Sequence, residues 1–359
     1  MEKKKFTKIG NIDIGNGIFL APMEDVSDLP FRVICKRLGA DIVYTEFIAS
    51  EGIIRDSRAS KRKMTVAEEE RPVAVQIFGG SIDAMVESAK IVEDAGADIL
   101  DINFGCWVKK VVQREAGAAF LKKPDEMAEL TFRVQEAVKI PVTVKTRLGW
   151  DKDNIIITDV AKKIEQAGAK ALAIHCRTRD MGMTGLADWS WIPKVKDVVD
   201  IPIILNGDVV EPEDVKRAFE TTSCDALMIG RGCIGYPFIF QRAKVMMEEG
   251  YDPGEPDIYT RVNTCIDHLK MSVEFKDRNA IIEFRKHYSG YLKGYFGASE
   301  IRKKLMESMT FDEVVDNLYE YIKYLEDNDR LEPVGKTRKA PNLSCQSDKY
   351  VKKQTRELV

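Results

Sequence analysis

The sequence predicts an α/β fold: a (β/α)₈ barrel of the TIM type, followed by a small all-helical C-terminal domain. Three observations lead to this prediction. Eight short apolar, β-branched runs alternate with amphipathic stretches of helical spacing. The alternation stops after Phe240, and only helical patterns follow. The length of 359 residues is enough for one large α/β domain and an appendage.

Each of the eight runs is a candidate barrel strand. The runs cover residues 17–23, 41–47, 73–78, 98–103, 142–147, 171–176, 201–207 and 224–230. The stretches between them, such as 81–96 and 154–168, place apolar residues at helical spacing and stop at Gly. Eight βα units fit a barrel of about 250 residues better than a doubly wound sheet, which usually has fewer strands.

The pattern divides the chain into three parts. We predict a barrel domain over residues 1–248 and, after a linker rich in Pro, Gly and acidic residues at 251–257, a helical domain over 257–330. Residues 331–359 lack apolar periodicity, and 336–359 hold seven basic and two acidic side chains, a net charge of +5. We expect this segment to be a basic, flexible tail.

Composition excludes several classes of protein. Charged residues interrupt every apolar run before it reaches the roughly 20 residues that a membrane span needs. Seven Cys at irregular spacing and only three His favour reduced thiols over a disulfide framework or a zinc site. The basic N-terminus lacks the apolar core of a secretory signal. We therefore predict a cytoplasmic protein with no membrane segment, no metal site and no evident obligate protein partner.

Polar side chains close six of the predicted strands. In a barrel of this kind the reactive groups collect at the carboxyl ends of the strands, so these side chains share one end. Burying so many polar groups is costly unless a ligand or a network satisfies them, so we expect a bound polar cofactor. The strand-end residues are Gln76, Asn103, Lys145, Arg147, His175, Arg177, Asn206, Gly207, Asp208, Gly230 and Arg231.

Several of these residues have more than one interpretation. The Gly-rich turns after strands seven and eight suit a phosphate, with Arg231 adding charge, or are ordinary βα turns. Lys145 could hold an anionic cofactor atom, form a Schiff base or make an internal salt bridge. His175 could be a base, a phosphate donor or a packed core residue.

Cys106 lies in the loop after the fourth strand, beside Asn103 and ahead of two lysines. A single Cys is more often a small buried apolar residue than a catalytic one. Its place at the active end of the barrel favours a chemical role instead, as a thiolate or as a thiol acid.

The predicted helical domain contains a basic, aromatic segment. Residues 277–304 hold seven Lys and Arg against three Asp and Glu, a net charge of +4, with five aromatic rings interleaved. This combination suits RNA, although a solvated charged face over an aromatic core gives the same pattern. Arg285, Lys286 and His287 lie at its centre.

Taken jointly, these motifs resemble those of the tRNA-dihydrouridine synthases, FMN enzymes that reduce uridine in tRNA with NADPH. The similarity extends over about residues 20–305. The segments that carry it are APMEDVSDLPFR at 21–32, TE at 45–46, VQIFGG at 75–80, INFGC at 102–106, AGAAFL at 116–121, VKTRLGW at 144–150, IHCRTR at 174–179, GLADW at 185–189, NGDV at 206–209, MIGRG at 228–232 and RKH at 285–287.

The resemblance implies roles for the matching residues. Cys106 would be the proton donor. The residues implied to line FMN are Pro22, Met23, Gln76, Lys145, His175, Asn206, Gly207, Asp208, Gly230 and Arg231. Those implied to contact the flavin side or the tRNA substrate are Asn103, Arg147, Arg177, Arg285, Lys286 and His287. NADPH would be the reductant, and the target base would leave its stack to reach the barrel mouth.

This chain departs from the family pattern at three positions. Trp107 stands where the family usually has Pro, Met183 where it has an aromatic residue, and Tyr236 where it commonly has Asn. Other functions also fit parts of the pattern: an aldolase that uses Lys145, an FMN dehydrogenase of a free pyrimidine-like ring, or a protein that binds tRNA without reducing it.

Overall fold

The computed structural model describes residues 6–276 and 279–334. Eleven strands lie within this part of the chain. Their bounds are β1 Lys8–Ile9, β2 Ile12–Asp13, β3 Ile18–Leu20, β4 Val43–Tyr44, β5 Ile48–Ala49, β6 Val73–Phe78, β7 Ile99–Asn103, β8 Val142–Arg147, β9 Leu172–His175, β10 Ile203–Asn206 and β11 Ala226–Ile229.

Fourteen α-helices and three 3₁₀ helices connect and follow these strands in the described residues. The α-helices are α1 Leu29–Arg37, α2 Ser50–Ile54, α3 Arg58–Met64, α4 Ile82–Asp94, α5 Lys109–Val112, α6 Pro124–Ala137, α7 Ile157–Gln166, α8 Trp191–Lys196, α9 Pro212–Thr222, α10 Phe238–Glu249, α11 Ile258–Lys276, α12 Asn279–Tyr291, α13 Ala298–Glu307 and α14 Phe311–Asp327. The 3₁₀ helices are Glu68–Glu70, Gly117–Lys122 and Arg231–Cys233.

Eight parallel strands close into a barrel. Their order around it is β3, β4, β6, β7, β8, β9, β10 and β11, and β11 pairs with β3 to complete the ring. The short strand β5 pairs in parallel with the carboxyl end of β6. Closure leaves none of these eight strands with a free edge, so every barrel strand has a partner on both sides.

Alternation along each strand decides which side chains enter the barrel. In β3, Phe19 belongs to the interior cluster, whereas Ile18 and Leu20 pack against the outer helices. In β10, Ile204 points inward between Ile203 and Leu205. Because successive side chains of a strand point to opposite faces, every second residue toward the strand end also points inward.

Packing closes the amino end of the barrel, and buried ion pairs tie together the segments around the barrel. Ile9 of the β1–β2 hairpin lies in the same cluster as the barrel interior. Arg32 of α1 pairs with Glu70 at 2.6 Å, and Lys196 pairs with Asp225 at 2.6 Å, both inside the protein. In each of these two pairs, a buried charge is matched by an opposite one.

The C-terminal helices pack on α1. Phe31 of α1 lies 5.3 Å from the ring of His268 and 5.1 Å from that of His287, measured between centroids. Asp28, the N-cap of α1, pairs with Lys276 at 2.6 Å. One contiguous apolar core includes residues of the barrel and of these helices.

The predicted fold class is confirmed, and each of the eight predicted strand runs contains a barrel strand. The predicted runs do not include the β1–β2 hairpin or β5. The domain boundaries remain a prediction. Residues 335–359, most of the predicted basic tail, and residues 277 and 278 lie outside the described residues. No helix in the described part is long and apolar enough to cross a membrane.

Candidate active site

The carboxyl end of the barrel gathers the predicted site residues. Ala74 and Ile99 belong to the interior cluster, so Gln76, two residues beyond Ala74, and Asn103, four residues beyond Ile99, also point inward. The same alternation places four more predicted residues inside the mouth. They are Lys145 and Arg147 on β8, His175 on β9 and Asn206 on β10.

Lys145 and Asn206 are hydrogen-bonded to each other inside the barrel mouth. Lys145 Nζ donates to Asn206 Oδ1 at 2.9 Å, and Asn206 Nδ2 donates to the carbonyl of Met228 at 3.0 Å. Burial, with the nearby Arg147, lowers the pKa of Lys145 to about 8. The site therefore presents an amine that a bound anion would hold in its charged form.

His175 is a neutral imidazole in this setting. Burial and the surrounding cations, led by Arg147 and Lys145, place its pKa well below the ordinary value. Arg177 Nη1 lies 3.3 Å from His175 Nε2. Because a guanidinium can only donate, Nε2 accepts and Nδ1 carries the proton. His175 thus offers a hydrogen-bond donor and no charge.

Asp208 connects two arginines of the mouth. Arg177 Nη2 lies 2.7 Å from both Asp208 carboxylate oxygens, and Arg231 Nη2 lies 3.3 Å from one of them. Arg177 is buried, and it also donates to the carbonyls of Thr184 and Gly185. These contacts hold the loop after β9; the predicted contact of Arg177 with flavin or uridine stays a prediction.

Cys106 lies in the loop after β7, and Asn103 fixes the backbone of this loop. Asn103 Oδ1 accepts the N–H groups of both Gly105 and Cys106 at 2.9 Å. Cys106 is only 8% exposed. Burial raises the pKa of its thiol to about 11, and the nearby Arg147 opposes that shift. The thiol is therefore protonated at neutral pH.

Gly117 allows the chain to pass close beside Cys106. Its φ is +58°, and an added Cβ would lie 2.9 Å from the Cys106 carbonyl oxygen and 3.0 Å from Cys106 Cβ. The N–H of Ala118 donates to that same carbonyl at 3.0 Å. Only Gly fits this close approach, which links the INFGC and AGAAFL segments.

Both neighbours of Cys106 are tied to Gly182, in the loop after β9. Arg147 Nε donates to the Gly105 carbonyl at 2.8 Å, and Arg147 Nη1 donates to the Gly182 carbonyl at 2.8 Å. A Cβ added to Gly182, whose φ is +55°, would lie 3.3–3.4 Å from three atoms of the Trp107 ring. The face of the Trp107 indole thus packs on Gly182. Trp107 is the residue that stands in place of the usual Pro of the family pattern.

Met183 and Tyr236, the other two positions at which the chain departs from the family pattern, lie in different surroundings. The carbonyl of Met183 is 3.5 Å from Arg231 Nη1. Tyr236 is buried, and its hydroxyl bonds to Glu255 at 2.7 Å and to Arg242 at 2.8 Å. Tyr236 therefore joins the barrel to the segment that precedes α11.

A group of charged residues that sequence reasoning did not select lies close enough to Cys106 to influence its pKa. Carboxylate oxygens of Glu24, Asp25 and Glu46 lie within 4.8 Å of one another. Lys63 Nζ is 2.5 Å from Glu24 and 3.6 Å from Glu46. Burial raises the pKa of Glu24 to about 7 although Lys63 opposes the shift, and Glu24 in turn helps to raise that of Cys106. Glu24 and Glu46 fall within the motifs at 21–32 and 45–46. Lys63 lies on α3, and only the folded structure shows that it contacts them.

Asp101 is a second residue that sequence reasoning missed. It is fully buried inside the barrel, one inward position below Asn103. Burial raises its pKa to about 6, and hydrogen bonds from Gln76 and Thr143 oppose that shift. The signal was present in the sequence, because a charged residue at an inward position of a buried strand needs partners.

The predicted tRNA residues of the helical part are unequally accessible. Arg285 and Lys286 on α12 are half-buried, and Arg285 Nη2 lies 3.3 Å from the Ser308 carbonyl. His287 is 2% exposed and packs against Phe31. Its position is that of a core residue, and a direct contact between His287 and tRNA stays a prediction.

The residues predicted to hold FMN fit an anionic, hydrogen-bonding group. An added Cβ at Gly230 would lie 3.6 Å from Met23 Sδ, and one at Gly207 would lie 3.2 Å from His175 Cδ2. The ends of β11 and β3 thus lie close together, as do those of β10 and β9, and Pro22 directly precedes Met23. Lys145 and Arg231 add positive charge, whereas Asp208 already accepts from two arginines. Such a donor set suits phosphate and ring carbonyl oxygens.

Known proteins match this chain over most of its length. A model of the dihydrouridine synthase family matches residues 19–326. The chain is 38% identical over 297 residues to the probable tRNA-dihydrouridine synthase of Rickettsia bellii, covering 82% of this chain and 91% of that protein. It is 38% identical over 289 residues to tRNA-dihydrouridine synthase B of Pasteurella multocida, covering 80% and 87%.

Solved structures show the same fold at low identity. Histamine dehydrogenase from Rhizobium sp. 4-9 superposes with a TM-score of 0.54 at 12% identity, covering 88% of this chain and 63% of that one. A 2-naphthoyl-CoA reductase complex gives a TM-score of 0.53 at 12% identity, covering 67% and 51%. At this identity the likeness concerns the barrel architecture alone.

Proposed function

This chain belongs to the dihydrouridine synthase family, and on that premise we propose that it reduces the C5–C6 double bond of uridine in tRNA. FMN is the proposed cofactor and NADPH the proposed reductant. The observation that carries the proposal is the Cys106 thiol, protonated at neutral pH and held at the mouth of a barrel rich in cationic groups.

The reaction adds one hydride and one proton to the uracil ring. Bound FMN, held by residues such as Lys145 and Arg231, would supply the hydride for C6. Cys106 donates its thiol proton to C5, which leaves a thiolate that water reprotonates after the turnover. The neighbouring Arg147 favours that thiolate by its positive charge.

Other residues of the chain hold the reacting groups in place. Lys145, His175 and Arg231 would bind the cofactor through their donors, with Asn206 orienting Lys145. Asn103 and Arg147 fix the Cys106 loop on its two sides. The protein thereby provides an acid at a fixed position, and the cofactor provides the redox chemistry.

The helical part supplies a surface for the RNA backbone. Lys303 and Lys304 on α13 are exposed, and Arg285 and Lys286 on α12 are half-buried. Clustered cations attract phosphates in a salt-dependent way, whereas the uridine itself must leave its stack to reach Cys106. This arrangement favours tRNA over a free pyrimidine as the substrate.

The test combines cofactor retention, product formation and a matched pair of variants. Purified protein should retain FMN and form dihydrouridine in tRNA isolated from cells that lack this modification, measured by nucleoside mass spectrometry. Cys106→Ala should abolish product yet retain the flavin. Cys265→Ala, which removes a buried thiol on α11, should keep normal product levels.

Other outcomes would replace the proposal. Protein that remains colourless after incubation with FMN would exclude a flavin enzyme. Reduction of free uridine at the same rate as tRNA would indicate a small-molecule dehydrogenase. Binding of tRNA without any product would indicate a tRNA-binding protein.

A further inference from the structure

Asp101 receives hydrogen bonds from both neighbouring strands inside the barrel. Its Oδ2 accepts from Gln76 Nε2 on β6 at 2.5 Å, and its Oδ1 accepts from Thr143 Oγ1 on β8 at 2.6 Å. The residue is 0% exposed. A carboxylate in such a place is normally either satisfied for stability alone or used to orient its partners.

The contacts of Gln76 continue to the Cys106 loop. Asn103 Nδ2 donates to Gln76 Oε1 at 2.7 Å. Asn103 Oδ1 then accepts the N–H groups of Gly105 and Cys106, each at 2.9 Å. A continuous chain of hydrogen bonds thus runs from the Asp101 carboxylate through two amides to the backbone of Cys106.

The Asp101 carboxylate at one end of this chain and the Cys106 backbone at the other allow only one orientation of the Gln76 and Asn103 amides. An ionised carboxylate can only accept, so Gln76 must turn its NH₂ toward Asp101 and its oxygen toward Asn103. Backbone N–H groups can only donate, so Asn103 must turn its oxygen toward Cys106 and its NH₂ toward Gln76. The orientation demanded at one end therefore agrees with that demanded at the other. Without the acceptor at position 101, Gln76 could rotate and present its NH₂ to the NH₂ of Asn103.

We propose that Asp101 is a positioning residue of the reaction, which acts through Gln76 and Asn103 to hold the backbone of Cys106 where its thiol can reach the substrate. This inference rests on the proposed function, because the placement of Cys106 matters to catalysis only if Cys106 is the proton donor.

Asp101 has a second possible influence, which the test must separate. Lys145 is the charged neighbour of Asp101 and lies on β8, the strand that also carries Thr143. Loss of the Asp101 charge would therefore alter Lys145 and cofactor binding. Asp101→Asn removes the charge but keeps an oxygen for Gln76, with its NH₂ toward the lone pairs of Thr143 Oγ1. Asp101→Leu is similar in size and has no acceptor.

The experiment compares four proteins in two measurements and adds Gln76→Met as a fifth. The first is the rate at which iodoacetamide alkylates Cys106 in the absence of tRNA, followed by peptide mass spectrometry. The second is the rate at which tRNA reoxidises dithionite-reduced flavin, together with the flavin content of each protein. The proteins are the wild type, Asp101→Asn, Asp101→Leu and Asp225→Asn, which alters an equally buried carboxylate at the opposite end of the barrel.

Asp101→Leu should raise the alkylation rate and lower the tRNA-dependent reoxidation rate by about tenfold each, the order expected when one or two buried hydrogen bonds are lost. Asp101→Asn should stay within about threefold of the wild type in both, and Asp225→Asn should match the wild type even if it is less stable. Gln76→Met interrupts the same chain while keeping the Asp101 charge, so its alkylation rate should match that of Asp101→Leu. It also replaces Asp101→Leu if that variant does not fold.

Three results would overturn the proposal. Equal losses in Asp101→Asn and Asp101→Leu would assign the effect to the charge on Lys145. Wild-type alkylation rates in Asp101→Leu or Gln76→Met would show that the chain does not hold Cys106. The same changes in Asp225→Asn would indicate general loosening of the barrel. If the wild type forms no dihydrouridine, the proposed function fails, whereas the alkylation rates still test the link from Asp101 to Cys106.

Discussion

The raised pKa of Cys106 predicts how the reaction depends on pH. Burial moves this thiol from an ordinary value of 9.0 to about 11. At pH 8 an ordinary thiol would be about 9% ionised, whereas Cys106 would be only about 0.1% ionised. Since a proton donor works only in its protonated form, Cys106 should remain fully competent well above neutrality and lose competence as the pH rises through about 11.

The assay is a single turnover. Enzyme with dithionite-reduced flavin is mixed with tRNA that lacks dihydrouridine, and flavin absorbance follows reoxidation from pH 6 to about pH 10.5. Removing the acid in Cys106→Ala should slow this step by about 10²–10⁴-fold, the usual contribution of a placed general acid. Reduction of the flavin by NADPH should change by less than about threefold, because hydride transfer to flavin does not require this proton.

A second titrating group lies in the same range. The pKa of Lys145 is lowered to about 8, so a change near that pH could come from cofactor binding. Measuring the same profile in Cys106→Ala separates the two, because a change that persists in the variant belongs to Lys145. A wild-type rate that falls with an apparent pKa of 8 to 9, and does so only when Cys106 is present, would refute the assignment of a neutral, desolvated thiol.

Three further predictions concern binding, loop placement and stability. Lys145→Met should weaken FMN binding about 10–100-fold in a fluorescence titration, because it removes a charged donor. The control Lys162→Met, at an exposed position, should leave the affinity unchanged. Equal affinities of the two variants would remove Lys145 from the cofactor site. Trp107→Ala should lower the rate of tRNA-dependent flavin reoxidation about three- to tenfold, because the aromatic face packs on Gly182 in the loop after β9. Trp107→Phe should restore the rate. An unchanged rate in Trp107→Ala would show that this packing does not position Cys106. Arg32→Met should reduce the free energy of unfolding in urea by about 3–5 kcal/mol, since Glu70 would be left buried and unpaired, and a double variant with Glu70→Leu should regain part of it; additive losses would contradict the coupling.

The barrel could be predicted because its strands are buried on both faces. The run at 73–78 and the run at 142–147 coincide with β6 and β8, since continuous β-branched segments leave little ambiguity. The strand-end residues Gln76, Lys145 and Asn206 could be selected for the same reason. A polar residue that closes a buried parallel strand reaches the carboxyl end of the barrel wherever the helices lie.

Partners that come from distant parts of the chain could not be predicted. Lys63 reaches Glu24 and Glu46 only because α3 folds over the barrel mouth, and no local pattern encodes that approach. His287 appeared in a basic motif, yet the packing of α12 against α1 places it beside Phe31 in the core. A helix can turn the same residues toward solvent or core, and only its neighbours decide between them.

By itself, the sequence determined the fold class, the order of the strands and the residue types at the mouth, because these depend on local periodicity and on chain order. Only the tertiary structure decided which of those groups touch and which charge states they adopt. The thiol of Cys106 is neutral because folding removes it from water, and Gln76 reaches Asn103 because β6 and β7 lie side by side. Desolvation and hydrogen-bond direction depend on three-dimensional proximity, which spacing along the chain does not specify.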